Sequence, residues 1–226
     1  ARNALAAYLS PLGRGLFHKL FIMSGGLTTA ATKQSEEKAD DILTELLIKT
    51  GIASTQDEAR VWISTQSADK ISDFLYRQNA FHFVEIIRET GLQMAAFPHL
   101  IEDGTVIPIG GFDNLNNRDH PSLPIILGST ASEFSEFTLG DTHFFSLVQK
   151  EELAGNMEEK KLYEAAVQYG SDLYAEFNVE QTTEIFLTAI PEMPIYAYRF
   201  AWGLRDGVID PYIRFLIGAP HGADIP

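Results

Sequence analysis

The 226-residue chain has no cysteine, which excludes disulfides and thiolate metal sites within it. Basic residues are scarce as well: 17 Lys and Arg against 31 Asp and Glu leave a formal net charge of −14. That balance argues against nucleic acid and anionic membrane surfaces as partners, because both demand a basic patch. No apolar run approaches the roughly 20 residues needed to span a bilayer. The opening Ala1-Arg2-Asn3-Ala4 carries neither an initiator methionine nor a signal-peptide pattern, so the sequence reads as a piece of a longer chain. A chain without cysteine fits a reducing compartment, and the expected location is cytoplasmic, with secretion as the alternative. What the chain has in quantity is apolar material: 45% of its residues, 15 Phe among them, enough for one large core or two small ones.

Three short apolar runs have the length and content of strands: Leu20-Phe21-Ile22-Met23, Leu123-Pro124-Ile125-Ile126-Leu127-Gly128, and Ile195-Tyr196-Ala197-Tyr198-Arg199-Phe200-Ala201-Trp202. The first two read as strands buried on both faces. Between the runs, apolar residues recur at helical spacing. Ala39, Ile42, Leu43, Leu46 and Leu47 mark a helix over 33–50 with Gly51 as its cap, and Leu162, Ala165, Ala166, Tyr169 and Leu173 mark another over 158–177. A further helix spans 179–190 before Pro191, and residues 1–9 close one stopped by Ser10-Pro11. Thr55-Gln56-Asp57-Glu58 is a capping box opening a helix through Trp62; Ser67 caps the next, and one over 81–89 ends at Gly91. Glu102-Asp103-Gly104 is a turn signal between Leu100-Ile101 and Val106-Ile107, and 110–122 reads as loop. Three main strands separated by long helical stretches predict right-handed crossovers and a parallel sheet, hence an α/β fold.

In open α/β sheets, sites form beyond the carboxyl ends of the strands. Glu133 follows the second strand closely, and His221 lies on the glycine-rich loop Gly218-Ala219-Pro220-His221-Gly222-Ala223-Asp224-Ile225-Pro226. Pro220 and Gly222 set a sharp turn that holds the imidazole on a defined backbone. At the other end stand Ser10-Pro11-Leu12-Gly13-Arg14-Gly15-Leu16-Phe17-His18 and Ser24-Gly25. These segments resemble the type-B carboxylesterase (cholinesterase, para-nitrobenzyl esterase-like) family of α/β-hydrolases. In that family S-P-x-x-x-G-L-F follows the nucleophile elbow, and H-G-x-[ED]-[IL]-P carries the catalytic histidine.

The resemblance implies that 1–226 is a fragment of a single α/β-hydrolase domain, with 28–97 as a helical cap-like insertion and three strands from the later part of the sheet. It implies His221 as the general base. It also implies Glu133 as the acid, because Gly128-Ser129-Thr130-Ala131-Ser132-Glu133 matches the family's G-x-x-x-[DS]-E after a strand. On the residues alone Glu133 reads as a solvated loop carboxylate. The order acid then histidine is the one α/β-hydrolases use, with the nucleophile before both. Ser24 and Asp224 are implied as a supporting pair near His221; on the residues alone they are a turn hydroxyl and a loop carboxylate. The chain departs from the family at Phe134, where glycine is usual and a ring would narrow the acyl pocket. It departs also at Met23 for glutamine and at Asp224 for glutamate. The elbow G-x-S-x-G is expected to end just before Ala1, which places the serine three residues upstream of it, with the oxyanion loop further back.

The expected function is therefore part of a serine carboxylester hydrolase. Its substrate would be a small carboxylic ester and its partner the remainder of its own parent chain, with no cofactor and no metal. The alternative is a non-catalytic interaction module, since related domains serve in adhesion after losing triad residues. His99, Glu102 and Asp103 lack a ligand spacing for a metal, Gly110-Gly111 has no following lysine or helix start for phosphate, and Lys160-Lys161 beside Glu158-Glu159 reads as a solvated helix face.

Overall fold

The computed structural model describes residues 1–89, 99–116 and 120–225. In chain order its elements are α1 (Arg2–Leu9), β1 (Leu20–Met23), β2 (Ala30–Ala31), α2 (Thr32–Lys49), α3 (Gln56–Thr65), α4 (Ala68–Tyr76), α5 (Ala80–Glu89), β3 (Ile101–Glu102), β4 (Ile125–Thr130), α6 (Ser135–Gly140), α7 (Thr142–Gln149), α8 (Met157–Ala175), α9 (Gln181–Ala189), β5 (Ile195–Phe200) and α10 (Pro211–Leu216). They fall into two compact units, one of residues 1–28 with 112–226 and the other of residues 29–111.

The first unit is built on a parallel sheet ordered β1-β4-β5, with Leu20 opposite Ile125 and Ile125 opposite Ile195. Parallel strands need covered faces, and α1 lies against β1 with Leu5 and Leu9, one turn apart, both buried. Leu20, Ile22, Ile125 and Leu127 supply the same core, each such side chain contributing about 1.5–3 kcal/mol by its removal from water. The opposite face departs from the expectation of strands buried on both sides. Phe21, Ile126 and Tyr196, level with one another across the three strands, are 52%, 44% and 63% exposed. A continuous apolar run marks a strand, but not how many of its faces are covered.

The helix expected over 158–177 and the one over 179–190 are α8 and α9, joined by a π turn at 176–180. Val179 of that turn is buried, and Asn178 binds the carbonyl of Tyr174 at 2.9 Å. A Cβ at Gly26 would overlap Asn178, so the turn after β1 approaches the helix as only glycine permits. Helices α6, α7 and α10 had no counterpart in the periodicity, being six, eight and six residues long.

The second unit is mainly helical. α2 buries Ile42, Leu43, Leu46 and Leu47, and Gly51 with φ +74° follows its last turn. Thr55 accepts from Glu58 N–H at 3.2 Å, while the Glu58 carboxylate reaches back to Ser54 N–H at 2.7 Å rather than to Thr55 itself. Ser67 caps α4 through Lys70 N–H. The turn expected around Glu102-Asp103-Gly104 forms, but not between paired strands. β3 pairs in parallel with β2, and the Asp103 carboxylate takes the N–H groups of Thr105, Val106 and Ile107 at 2.7–3.1 Å, which turns the chain without a return strand. Gly91, expected to end α5, lies outside the described residues. Among the described residues no helix is long and apolar enough to cross a membrane.

Candidate catalytic site

β4 ends at Thr130, and the chain turns at once through Ala131 and Ser132 to Glu133 before entering α6. That turn places Glu133 wholly inside the sheet unit, at 0% exposure. A buried carboxylate demands partners, and it has four. Oε2 accepts from Ser24 Oγ at 2.8 Å, Thr130 N–H at 2.8 Å and Thr130 Oγ1 at 3.0 Å; Oε1 is bonded to Nδ1 of His221. Burial works to raise the Glu133 pKa, but the bonds from His221, Thr130 and Ser24 outweigh it and hold the group below the ordinary carboxylate value.

Ser24 is brought there by β1, whose carboxyl end lies beside that of β4. Its backbone is left-handed at φ +54°, unusual for a residue with a side chain, and three bonds hold it so. Its N–H donates to Gly128 O at 2.8 Å, its carbonyl accepts from Tyr174 hydroxyl at 2.9 Å, and its Oγ donates to Glu133. Strain maintained at that one position aims the hydroxyl at the carboxylate.

His221 follows α10 on the loop that begins at Ile217. Gly218 and Gly222 both have positive φ, +56° and +80°, which turn the loop back toward Ser132 and then away. The Tyr163 hydroxyl holds the preceding Leu216 carbonyl at 2.5 Å. The His221 side chain is 45% exposed on one side and paired with a buried carboxylate on the other. Its pKa is raised, first by the Glu133 bond and then by the charges of Glu133, Glu136 and Asp224, against the lowering from partial burial. With Nδ1 engaged, Nε2 is the nitrogen free to exchange a proton with a reactant. The Tyr174 and His221 rings are steeply inclined to each other with their centroids 6.4 Å apart, and burial pushes that phenol up to about 12.

Glu133, His221 and Ser24, expected together, are brought together. Asp224 is placed differently. Its Oδ2 bonds the Tyr198 hydroxyl on β5, while its Oδ1 is buried with no partner, so it bears on His221 through charge alone. Ser24 and Asp224 thus serve different partners. The Phe134 ring lies against Gly170 of α8 with its centroid 5.1 Å from that of Phe137, and the Phe134 N–H donates to Ser171. Thr130, Tyr174 and Tyr198 were not singled out from sequence. Thr130 had a local signal, a hydroxyl three residues before a carboxylate at a strand end. The two tyrosines had none. Glu136, the nearest rival acid, is exposed in the first turn of α6. Among the described residues no cluster of three or more His, Asp or Glu is placed to hold a metal ion.

No family model matches the chain, and no curated protein matches it in sequence. Its fold is that of solved esterase structures. A PNB esterase superimposes over 96% of this chain at TM-score 0.54 and 19% identity. The Geobacillus stearothermophilus carboxylesterase EST55 at pH 6.2 superimposes over 88% at TM-score 0.53 and 19% identity, and a thermophilic PNB esterase over 87% at 0.52 and 18%. The chain spans about two-fifths of the length of those structures, 40–42%. It has a partial α/β-hydrolase fold.

Proposed function

We propose that these residues form the acid- and histidine-bearing part of a serine carboxylester hydrolase. The observation that carries the reading is the buried Glu133, satisfied at every bond and paired with the exposed ring of His221. An internal carboxylate bonded to Nδ1 fixes the tautomer that leaves Nε2 as acceptor, and stabilises the imidazolium once Nε2 takes a proton. The nucleophile would be a serine on the parent chain outside these residues, expected three positions before Ala1. Its hydroxyl would pass its proton to His221 while attacking the ester carbonyl. The protonated ring would return that proton to the departing alkoxide, and water activated by the same ring would release the acid. The likeness to esterases over two-fifths of their length supports this assignment of parts. So does the exposed apolar sheet face at Phe21, Ile126 and Tyr196, which the remainder of the parent would cover.

The test is made in the full-length parent with a p-nitrophenyl ester. His221→Ala is expected to lower turnover by several orders of magnitude, Glu133→Gln by less, and Asp224→Ala least. Turnover unchanged in a folded Glu133→Gln enzyme but abolished by Glu136→Gln would move the acid to Glu136. A parent without a serine at the elbow position would leave the adhesion-type module as the reading. The isolated 226-residue chain is expected to hydrolyse such esters no faster than a protein blank.

A further inference from the structure

Two loops must meet for Glu133 to reach His221. A cavity of about 460 Å³ opens against Ala131, Ser132 and Gly218, with Val167, Leu204 and Ile217 also in its wall. Beside that cavity the loops are joined directly by hydrogen bonds. Ser132 N–H donates to the carbonyl of Ala219 at 2.9 Å, and Ala219 N–H donates to Ser132 Oγ at 3.2 Å. Both residues are buried, so neither donor can turn to water instead. Ser135 Oγ adds a bond to the carbonyl of Ile217 at 3.0 Å. Gly218 lies so close that a Cβ there would overlap Ser132 Oγ.

Ser132 precedes Glu133 by one residue, and Ala219 precedes His221 by two. The reciprocal bonds therefore fix both ends of the acid–histidine contact at once. Sliding one loop by a residue would strand both buried donors, which makes the register discrete rather than adjustable. We infer that Ser132 is a positioning residue for the pair, its two bonds with Ala219 setting the approach of His221 to Glu133. This rests on the reading of Glu133 and His221 above. Ser132 touches no reacting atom and acts through the imidazole.

The readout is the protonation of His221 in the full-length parent, followed by NMR, with amide exchange at Ala219. The groups that bear on the ring are Glu133 and Glu136 around the acid loop, Asp224 on its own loop and Tyr174 on α8. In Ser132→Ala the midpoint of His221 is expected to fall from its raised position toward the ordinary histidine value, and the Ala219 amide to exchange roughly tenfold faster. Ser10→Ala removes another buried serine's bond, to Leu12 N–H in the turn after α1, and is expected to change neither. A folded Ser132→Ala chain whose His221 titrates as before overturns the inference and leaves the acid–histidine reading standing. So does an unprotected Ala219 amide in the unsubstituted chain, a measurement that needs no variant to fold. If Glu133→Gln leaves the His221 midpoint unmoved, the pairing itself fails, and the inference fails with it.

Discussion

In the helical unit, 29–111, the buried side chains are almost all apolar: Leu43, Leu47, Ala53 and Ala59 form one cluster, Ile42, Leu46 and Ile86 another. Ser35 and Thr44 are the buried polar residues described there. In the sheet unit Ser24, Ser129, Thr130, Ser132, Glu133, Ser135, Thr138 and Ser171 are all buried, most of them at the carboxyl end of β4 or in the turn and helix that follow. Such groups cost free energy to bury and return it only through well-made bonds. A helical unit can be stabilised without them. Their concentration beside β4 is explained by what they surround, one carboxylate and the loop that presents a histidine to it. The difference between the units is a difference between packing that stabilises and polar contacts that aim.

The largest effects should separate those two kinds of interior. Leu47→Ala in the helical unit is expected to cost about 2–5 kcal/mol of unfolding free energy, the range for emptying a core leucine site. That cost should be flat with pH, since no titrating group takes part. Glu133→Gln is expected to cost about 1–3 kcal/mol by unpairing buried donors, and to depend on pH. His221, with its folded pKa raised, contributes stability that is complete below the ordinary histidine value and is lost as pH rises through the raised one. Glu133, with its folded pKa lowered, contributes stability that is present above the ordinary carboxylate value and is lost as pH falls through the lowered one. The Glu133→Gln penalty should therefore peak between those two ordinary values and shrink on either side. Urea unfolding across pH checks it; a flat profile would place the two substitutions in one class and dissolve the contrast.

Much of the frame was legible because it is written locally. Parallel strands appear as continuous apolar runs, and caps appear as Thr55, Ser67 and Gly51 at the ends of periodic segments. Glu133 and His221 were legible only through the resemblance of their flanking segments. What escaped was set by distant contacts. Exposure of Phe21 and Ile126 depends on what covers a sheet face, and the parallel pairing of β3 with β2 depends on a strand far earlier in the chain. Tyr174 and Tyr198 reach the site from a helix and a strand far along the chain, contacting Ser24 and Asp224. The short helices α7 and α10 did carry starting signals, Asp141 and Asp210-Pro211, but too few turns for a period to show.

Glycine offers a matched test of aiming against packing. Gly51 and Gly218 both have positive φ, +74° and +56°. A Cβ at Gly51 would meet nothing within 4 Å, whereas one at Gly218 would overlap Ser132 Oγ. Gly51→Ala is expected to cost only the conformational penalty, roughly 1–2 kcal/mol. Gly218→Ala is expected to cost more and, unlike Gly51→Ala, to lower the His221 midpoint by prying the loops apart. Equal costs, with His221 unmoved, would show that the loop yields easily and that its close approach to Ser132 constrains nothing.

The smallest effects concern helix starts, where the two units use the same device to different ends. Thr55 caps α3 by accepting from Glu58 N–H, and Asp210 caps α10 by accepting from Tyr212 and Ile213 N–H at 2.8 and 3.2 Å. Replacing either by alanine should cost about 1 kcal/mol. At α3 the loss is confined to fraying, seen as faster exchange of the Ala59 amide, which bonds the Thr55 carbonyl at 3.1 Å. At α10 the helix is six residues long and leads through Leu216 directly into the histidine loop, so a frayed start leaves few bonds to hold its end. Asp210→Ala should therefore speed exchange at Ala219 as well as at Ile213, a spread that Thr55→Ala has no reason to show. Exchange at Ala219 unchanged in Asp210→Ala would mean that Ser132 and Tyr163 hold the loop without help from the helix before it.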